Sequence, residues 1–185
     1  MRILLAMTLG VLTIGVGGSL RAEEMPDLPK PQKEHQWLAQ LAGEWNASIT
    51  AKPGPEAPEI KAEATQSAKM IGDRWLIATG DGEMMGQPMT SILTLGYDPA
   101  KEKYVGTFIS SCGNELWTYE GAVSEDGKTL VLETEGPNMM SPGETSGYRE
   151  TIAFKDKDHY TFTSAIEGED GKFVEFMTAE YERKK

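Results

Sequence analysis

The chain has 185 residues, of which 25% are charged, and a formal net charge of −11 at pH 7. Such an acidic protein repels the phosphate backbone of nucleic acids and anionic lipid headgroups, which argues against both as partners. The only cysteine, Cys112, excludes an intramolecular disulfide. We expect Cys112 to be a half-buried strand residue rather than a reactive thiol, because no His or Cys neighbour would lower its pKa.

The first 22 residues have the pattern of a secretory signal peptide. Arg2 supplies the charged start, a glycine-containing apolar run follows, and Ala22 is the small residue expected before the cleavage site. The apolar run is too short and too rich in glycine to favour a membrane anchor. We therefore expect a periplasmic or secreted mature chain of residues 23–185, with no insertion into the membrane. Loss of two arginines would bring its net charge to −13.

The remaining residues divide into a leader and one domain. Residues 23–33 carry three prolines among charged residues, which predicts a disordered leader. Residues 34–41 place three apolar side chains on one face of a short helix that Gly43 ends. A mature chain of about 160 residues buries a core without covalent staples. We therefore predict a single domain over residues 34–185.

After this helix, β-rich segments alternate with turn signals such as Gly72-Asp73 and Glu125-Asp126-Gly127-Lys128. The predicted segments are 44–51, 60–70, 74–82, 88–97, 104–111, 115–123, 129–135, 148–154, 160–166 and 173–183. Short turns join antiparallel neighbours, and closure of the sheet removes its exposed edges. The predicted fold class is all-β, an antiparallel up-and-down β-barrel of about 8–10 strands with a short N-terminal helix.

Two residues at opposite ends of the domain predict how the barrel closes. Gly43-Glu44-Trp45 opens the first β-segment, and a Gly-x-Trp at this point is typical of lipocalin-like barrels, in which the tryptophan plugs the closed end. Arg183 lies in the last segment. We expect its guanidinium to lie over the Trp45 ring, held by cation–π attraction.

Several motifs together resemble one family over nearly the whole mature chain. They are Glu34-His35-Gln36-Trp37-Leu38, Leu41-Ala42-Gly43-Glu44-Trp45, Met89-Thr90-Ser91-Ile92, Thr94-Leu95-Gly96-Tyr97-Asp98-Pro99, Tyr104-Val105-Gly106-Thr107, Leu116-Trp117-Thr118-Tyr119-Glu120-Gly121, Thr134-Glu135-Gly136-Pro137, Tyr148-Arg149-Glu150 and Glu175-Phe176-Met177-Thr178-Ala179. In order and spacing they resemble domain-of-unknown-function family 1579. The resemblance implies a calycin-like barrel, similar to lipocalins, fatty-acid-binding proteins and haem-binding nitrobindins, and it implies no catalytic residue.

Two predicted loops present methionines beside glycine and proline. One holds Met84, Met85 and Met89, and the other holds Met139 and Met140. If both loops lie at one open end, their thioethers form an adaptable apolar rim for a greasy small molecule. Alternatively, they only pack one loop on the other. Thioethers also bind Cu(I), so Cu(I) handling stays open as a minor alternative, although the loops contain neither His nor Cys and we predict no metal-binding residue.

A binding cavity needs a mostly apolar lining and a few convergent polar groups. Aromatic side chains on many strands would supply the lining, and Tyr119, Glu120, Arg149 and Glu150 are the polar candidates. Arg149 would hold a ligand carboxylate as a bidentate fork, unless it pairs with a neighbouring glutamate instead. The predicted ligand-binding residues are Trp75, Met84, Met89, Tyr97, Trp117, Tyr119 and Arg149.

We predict no cofactor and no catalytic residue. Haem would need His35 or His159 as its axial ligand, and we expect both at the surface. The sequence lacks the motifs of nucleophilic, phosphate-binding and zinc-dependent enzymes. The favoured function is non-covalent binding of a small apolar or amphipathic molecule in the barrel. A filled barrel acting as a structural or protein-interaction module, and a small isomerase or lyase, stay open as alternatives.

Overall fold

The computed structural model describes residues 30–185 except residues 55, 85, 140 and 142. The elements are α1 (Lys33–Ala39), β1 (Gly43–Ala51), β2 (Ile60–Ile71), β3 (Trp75–Met84), β4 (Gln87–Asp98), β5 (Lys103–Ser110), β6 (Trp117–Val123), β7 (Thr129–Pro137), β8 (Thr145–Phe154), β9 (His159–Glu167) and β10 (Phe173–Arg183). Each strand pairs antiparallel with its neighbours in sequence, and β1 pairs with β10, so the sheet is a closed barrel. The predicted fold class is confirmed. The predicted signal peptide lies outside the described residues, as does most of the predicted leader.

Successive turns of an up-and-down chain lie at alternate ends of the barrel, so the two ends carry different loops. Helix α1 covers one end, which we call the closed end. There the Trp37 indole donates a hydrogen bond to the Gly127 carbonyl at 2.8 Å, and the Tyr104 hydroxyl donates to the Glu34 carbonyl at 3.2 Å. The opposite end, which we call the open end, carries the β3–β4 and β7–β8 loops. The two methionine loops therefore lie at the same end of the barrel.

Trp45 plugs the closed end. Its side chain is fully buried, its indole donates to the Leu41 carbonyl at 2.9 Å, and its ring meets the Tyr160 ring edge to face. The Arg183 guanidinium lies 4.0 Å from the centre of the Trp45 ring, which confirms the predicted cation–π contact. A Cβ at Gly43, where φ is +137°, would collide with this guanidinium, so glycine is needed here.

The pairing register assigns every strand residue to the inner or the outer face, because side chains alternate along a strand and paired residues point the same way. The largest fully buried inner-face side chains on the strands are Trp45, Leu76, Leu95, Leu130 and Leu132. The outer face carries most of the charge, for example at Lys69 and Glu133. The core thus lies inside the barrel and continues beneath α1.

Two predicted environments are wrong. His35 is only 6% exposed, because its Nδ1 accepts a hydrogen bond from the Gln32 backbone N–H and its ring packs edge to face on Tyr97. It caps the start of α1 instead of facing solvent. Cys112 is exposed, because it falls in the turn after β5 rather than within a strand.

Candidate functional site

The inner face changes from dry to solvent-accessible along the barrel. On β2, inward-facing Ala68 in the closed half is 6% exposed, whereas Ala64 and Ala62, nearer the open end, are only half-buried. Inward residues of other strands near the open end are half-buried too; they include Gly82, Met89, Phe108, Trp117 and Met177. Molecules the size of water therefore reach the inner surface of the open half, which we call the cup.

Small residues line one wall of the cup. The inner face of β2 and β3 towards the open end carries alanine and glycine, whose side chains extend little into the lumen; the residues are Ala62, Ala64, Gly80 and Gly82. Space is limited locally, since a Cβ at Gly82 would come within 2.8 Å of the Ala64 Cβ. The wall is thus lined mainly by methyl groups and backbone.

Aromatic rings line the other wall. Trp117 and Tyr148 meet edge to face with ring centres 5.0 Å apart, and Phe176 lies 6.2 Å from Tyr148 in the same geometry. The Trp117 ring lies against Gly136, where a Cβ would overlap it. The Tyr148 hydroxyl donates to the Pro137 carbonyl at 2.6 Å, which fixes this ring. The wall is therefore apolar and held in place.

A buried carboxyl, Glu150, lies on the inner face between these walls. Its side chain faces inward from β8, beside its register partners Leu132 and Ser164, and the residue is 7% exposed. The Ser164 hydroxyl donates to Glu150 Oε2 in a short hydrogen bond. Burial raises the pKa of Glu150 to about 7, and the Ser164 hydrogen bond opposes this shift only in part. Near neutral pH this group can therefore either donate or accept a proton.

Two more polar groups face the same part of the lumen. Burial raises the pKa of the Tyr119 hydroxyl, and the nearby charge of Glu150 adds to the shift. Thr134 is 8% exposed, and its buried Oγ1 has no hydrogen-bond partner among the described residues. An unsatisfied buried hydroxyl costs about 1–3 kcal/mol, which a bound polar group would offset.

Five of the seven predicted binding residues belong to the inner face. Trp117 lies in the aromatic wall, Tyr119 faces the lumen from the same strand, and half-buried Met89 faces inward from β4. Met84 lies at the rim and is 47% exposed. Tyr97 faces inward but at the closed end, where it packs on Tyr104 with ring centres 5.3 Å apart. That these residues bind a ligand stays a prediction.

The expected lumenal positions of Trp75 and Arg149 are wrong. Trp75 is 44% exposed and covers Gly96 on the outer face. Arg149 also points outward, where its Nη2 donates to Glu133 at 2.8 Å and its guanidinium lies 3.9 Å from the centre of the Phe173 ring. It is therefore not placed to hold a carboxylate inside the barrel.

Glu120, another of the polar candidates expected from the sequence, also lies on the outer face. It pairs there with Lys101 and Lys103, whose hydrogen bonds lower the pKa of this carboxyl to about 2. Glu150 is one of the polar candidates expected from the sequence but not one of the seven predicted binding residues, and Ser164 and Thr134 are not predicted at all. The usable signal was the alternation on β8, because Arg149 and Glu150 are adjacent and must face opposite ways.

The described residues do not suggest a metal or a membrane-spanning helix. Among them, no group of three or more His, Cys, Asp or Glu side chains is arranged to hold a metal ion. Within the same part of the chain, no helix has the length and apolar character needed to cross a bilayer. The candidate site is a largely apolar cup with a carboxyl and hydroxyl groups in its wall.

These features define an antiparallel ten-stranded β-barrel of the lipocalin-like type, plugged by tryptophan at one end and accessible to solvent at the other. The chain belongs to the family described as "Protein of unknown function (DUF1579)", whose profile matches residues 30–183. The family assignment expected from the sequence motifs is confirmed.

Two solved structures share the fold. Rv2717c from M. tuberculosis is 15% identical, with a TM-score of 0.56 over 84% of this chain and 100% of that one. The S-type phycobiliprotein lyase CPES from Guillardia theta is 16% identical, with a TM-score of 0.55 over 84% of this chain and 99% of that one. Identities this low establish the fold alone. No curated protein matches the chain in sequence.

Proposed function

We propose that this protein binds a small, partly apolar molecule non-covalently in the cup and acts as its carrier. The observation that carries the proposal is the change along β2 from buried Ala68 to half-buried Ala64 and Ala62, which marks where the packed core gives way to accessible lumen. Apolar walls with a few convergent polar groups are the usual composition of a ligand pocket. Export is part of the proposal, and it rests on the signal-like first 22 residues.

The proposal is tested by blocking the cup from within. Ala64→Trp places a large ring on the inner face, and Thr65→Trp places the same ring on the outer face of the same strand, as the matched control. A fluorescence titration with the neutral apolar dye Nile red should show binding to the wild type that weakens more than about tenfold in Ala64→Trp only. Thermal unfolding confirms that each variant is folded.

Two results would contradict a binding cup. If Nile red binds both variants as tightly as it binds the wild type, the dye occupies another surface. If it does not bind the wild type at all, the open half is filled in solution. The second result would favour the structural or protein-interaction module.

The second candidate function is a small isomerase or lyase, favoured by the displaced pKa of Glu150. A carboxyl with a pKa of about 7 is suited to general acid or base chemistry at neutral pH. One of the two similar structures is named a lyase, so catalysis is compatible with this fold. A ligand extracted from the protein and returned to catalytic amounts of enzyme would be converted by the wild type and not by Glu150→Gln. A ligand recovered unchanged from the wild type would exclude this function for that ligand.

A further inference from the structure

Among the described residues, the inner face of the cup has one buried negative group and no positive group to match it; Arg183, the register partner of inward-facing Trp45, lies at the closed end. Among the described strand residues, Glu150 is the carboxyl that the register places on the inner face of the cup. Strand cations such as Lys61, Lys69, Lys103 and Arg149 fall on the outer face. Within the described part of the chain, no Lys, Arg or His lies within ion-pair distance of Glu150; its hydrogen bond comes from Ser164, which is neutral.

An unpaired buried carboxylate is expensive, because it loses its hydration without gaining a counter-ion. None of the described residues provides such an ion there, so a ligand that brings a positive charge would recover part of this cost. Trp117, Tyr119 and Tyr148 present aromatic rings in the same region, and the faces of such rings attract ammonium groups. Tyr148 is two residues from Glu150 on the inner face of β8, and Tyr119 faces the lumen from β6.

Resting on the proposed function, we infer that the cup selects apolar molecules that carry an ammonium group, with Glu150 as the counter-ion, and that it rejects carboxylates. The Thr134 Oγ1, which is buried and without a partner among the described residues, supplies a further acceptor for an ammonium N–H. This reverses the polarity expected from the sequence, in which Arg149 would bind an acid.

The test uses three probes that share one ring system: naphthylmethylamine, naphthylmethanol and naphthoate. Calorimetric titrations at about pH 8 should rank the affinities amine above alcohol above carboxylate, with the amine about tenfold tighter than the alcohol. In Glu150→Gln, which keeps the shape and the hydrogen bond with Ser164, the amine and the alcohol should bind within about twofold of each other. Glu135→Gln removes the same charge from the exposed outer face and should leave the ranking unchanged.

The outcomes separate this inference from the proposed function. If the alcohol and the amine bind the wild type equally, the cup is a binding site but the inference is wrong. If the amine is preferred but Glu150→Gln keeps that preference, the attraction comes from the acidic surface as a whole, and the inference is again wrong. If none of the three probes binds while Nile red does, the inference fails and the cup stands. If Nile red does not bind either, the proposed function itself fails.

Discussion

At the scale of single residues, Glu150 links the stability of the barrel to its candidate function. The folded protein holds the Glu150 proton to about pH 7, whereas an unfolded chain releases it near the ordinary pKa of 4.5. The folded state therefore binds more protons between these values, and its stability falls as pH rises through this window. The stabilisation is complete below about pH 4.5 and lost above about pH 7. Neither Tyr119 nor Tyr148, which face Glu150 from β6 and from β8 itself, titrates in this range, because their pKa values are raised above 10.

Glu150→Gln should remove this pH dependence. Between pH 4.5 and pH 8 the wild type should lose about 3 kcal/mol of unfolding free energy relative to the variant, because the glutamine never ionises. Urea unfolding at both pH values measures this difference. Glu135→Gln, on the exposed outer face, should follow the wild type. A wild type and a Glu150→Gln variant with parallel pH profiles would show that the carboxyl is solvated.

The choice between Arg149 and Glu150 shows where prediction from this sequence ends. Alternation requires these neighbours to face opposite ways, but it does not say which one faces inward. The outer face of this barrel carries apolar Trp75 and Ile92, and the inner face carries polar Glu150 and Ser164. Neither face is uniformly polar. The direction in which each side chain points is therefore settled only by the strand pairing, which places Glu150 on the same face as buried Ile152.

At the scale of elements, the sequence predicts the strands and their closure more fully than it predicts which side chains face the lumen. The ten strand segments and the short helix were found because tight turns, rich in Gly and Asp, interrupt the β-rich stretches at regular intervals. The closure was also predictable, since Trp45 and Arg183 are the first and last large side chains of the paired strands β1 and β10. Burial of His35 was not predictable from the local pattern, because it depends on contact between α1 and the distant Tyr97.

Trp45→Ala tests the closed end as an element. The indole is fully buried, it donates to Leu41, and it supports both Tyr160 and Arg183. Its loss should therefore lower the free energy of unfolding by about 3–5 kcal/mol. Equilibrium urea unfolding, with the exposed Trp75→Ala as the matched control, measures the cost. A loss below about 1 kcal/mol would rule out the closing role.

At the scale of the whole molecule, the barrel combines a rigid closed half with an accessible open half. Helix α1, Trp45 and the leucines of the inner face form a continuous packed core. Beyond Glu150, alanine and glycine on one wall and aromatic rings on the other surround solvent-accessible lumen. The packed core and the candidate binding surface thus lie in different halves of the barrel, with Glu150 between them.

The central claim, that the cup holds a small molecule, is tested most directly by native mass spectrometry of the protein purified from the cells that make it. A spectrum of the native protein should show one added mass that disappears on denaturation, and the released molecule can then be identified. The fraction of protein that carries this added mass should fall in Ala64→Trp and stay unchanged in Thr65→Trp. A native mass equal to that of the polypeptide alone, in a protein that also fails to bind Nile red, would contradict the account.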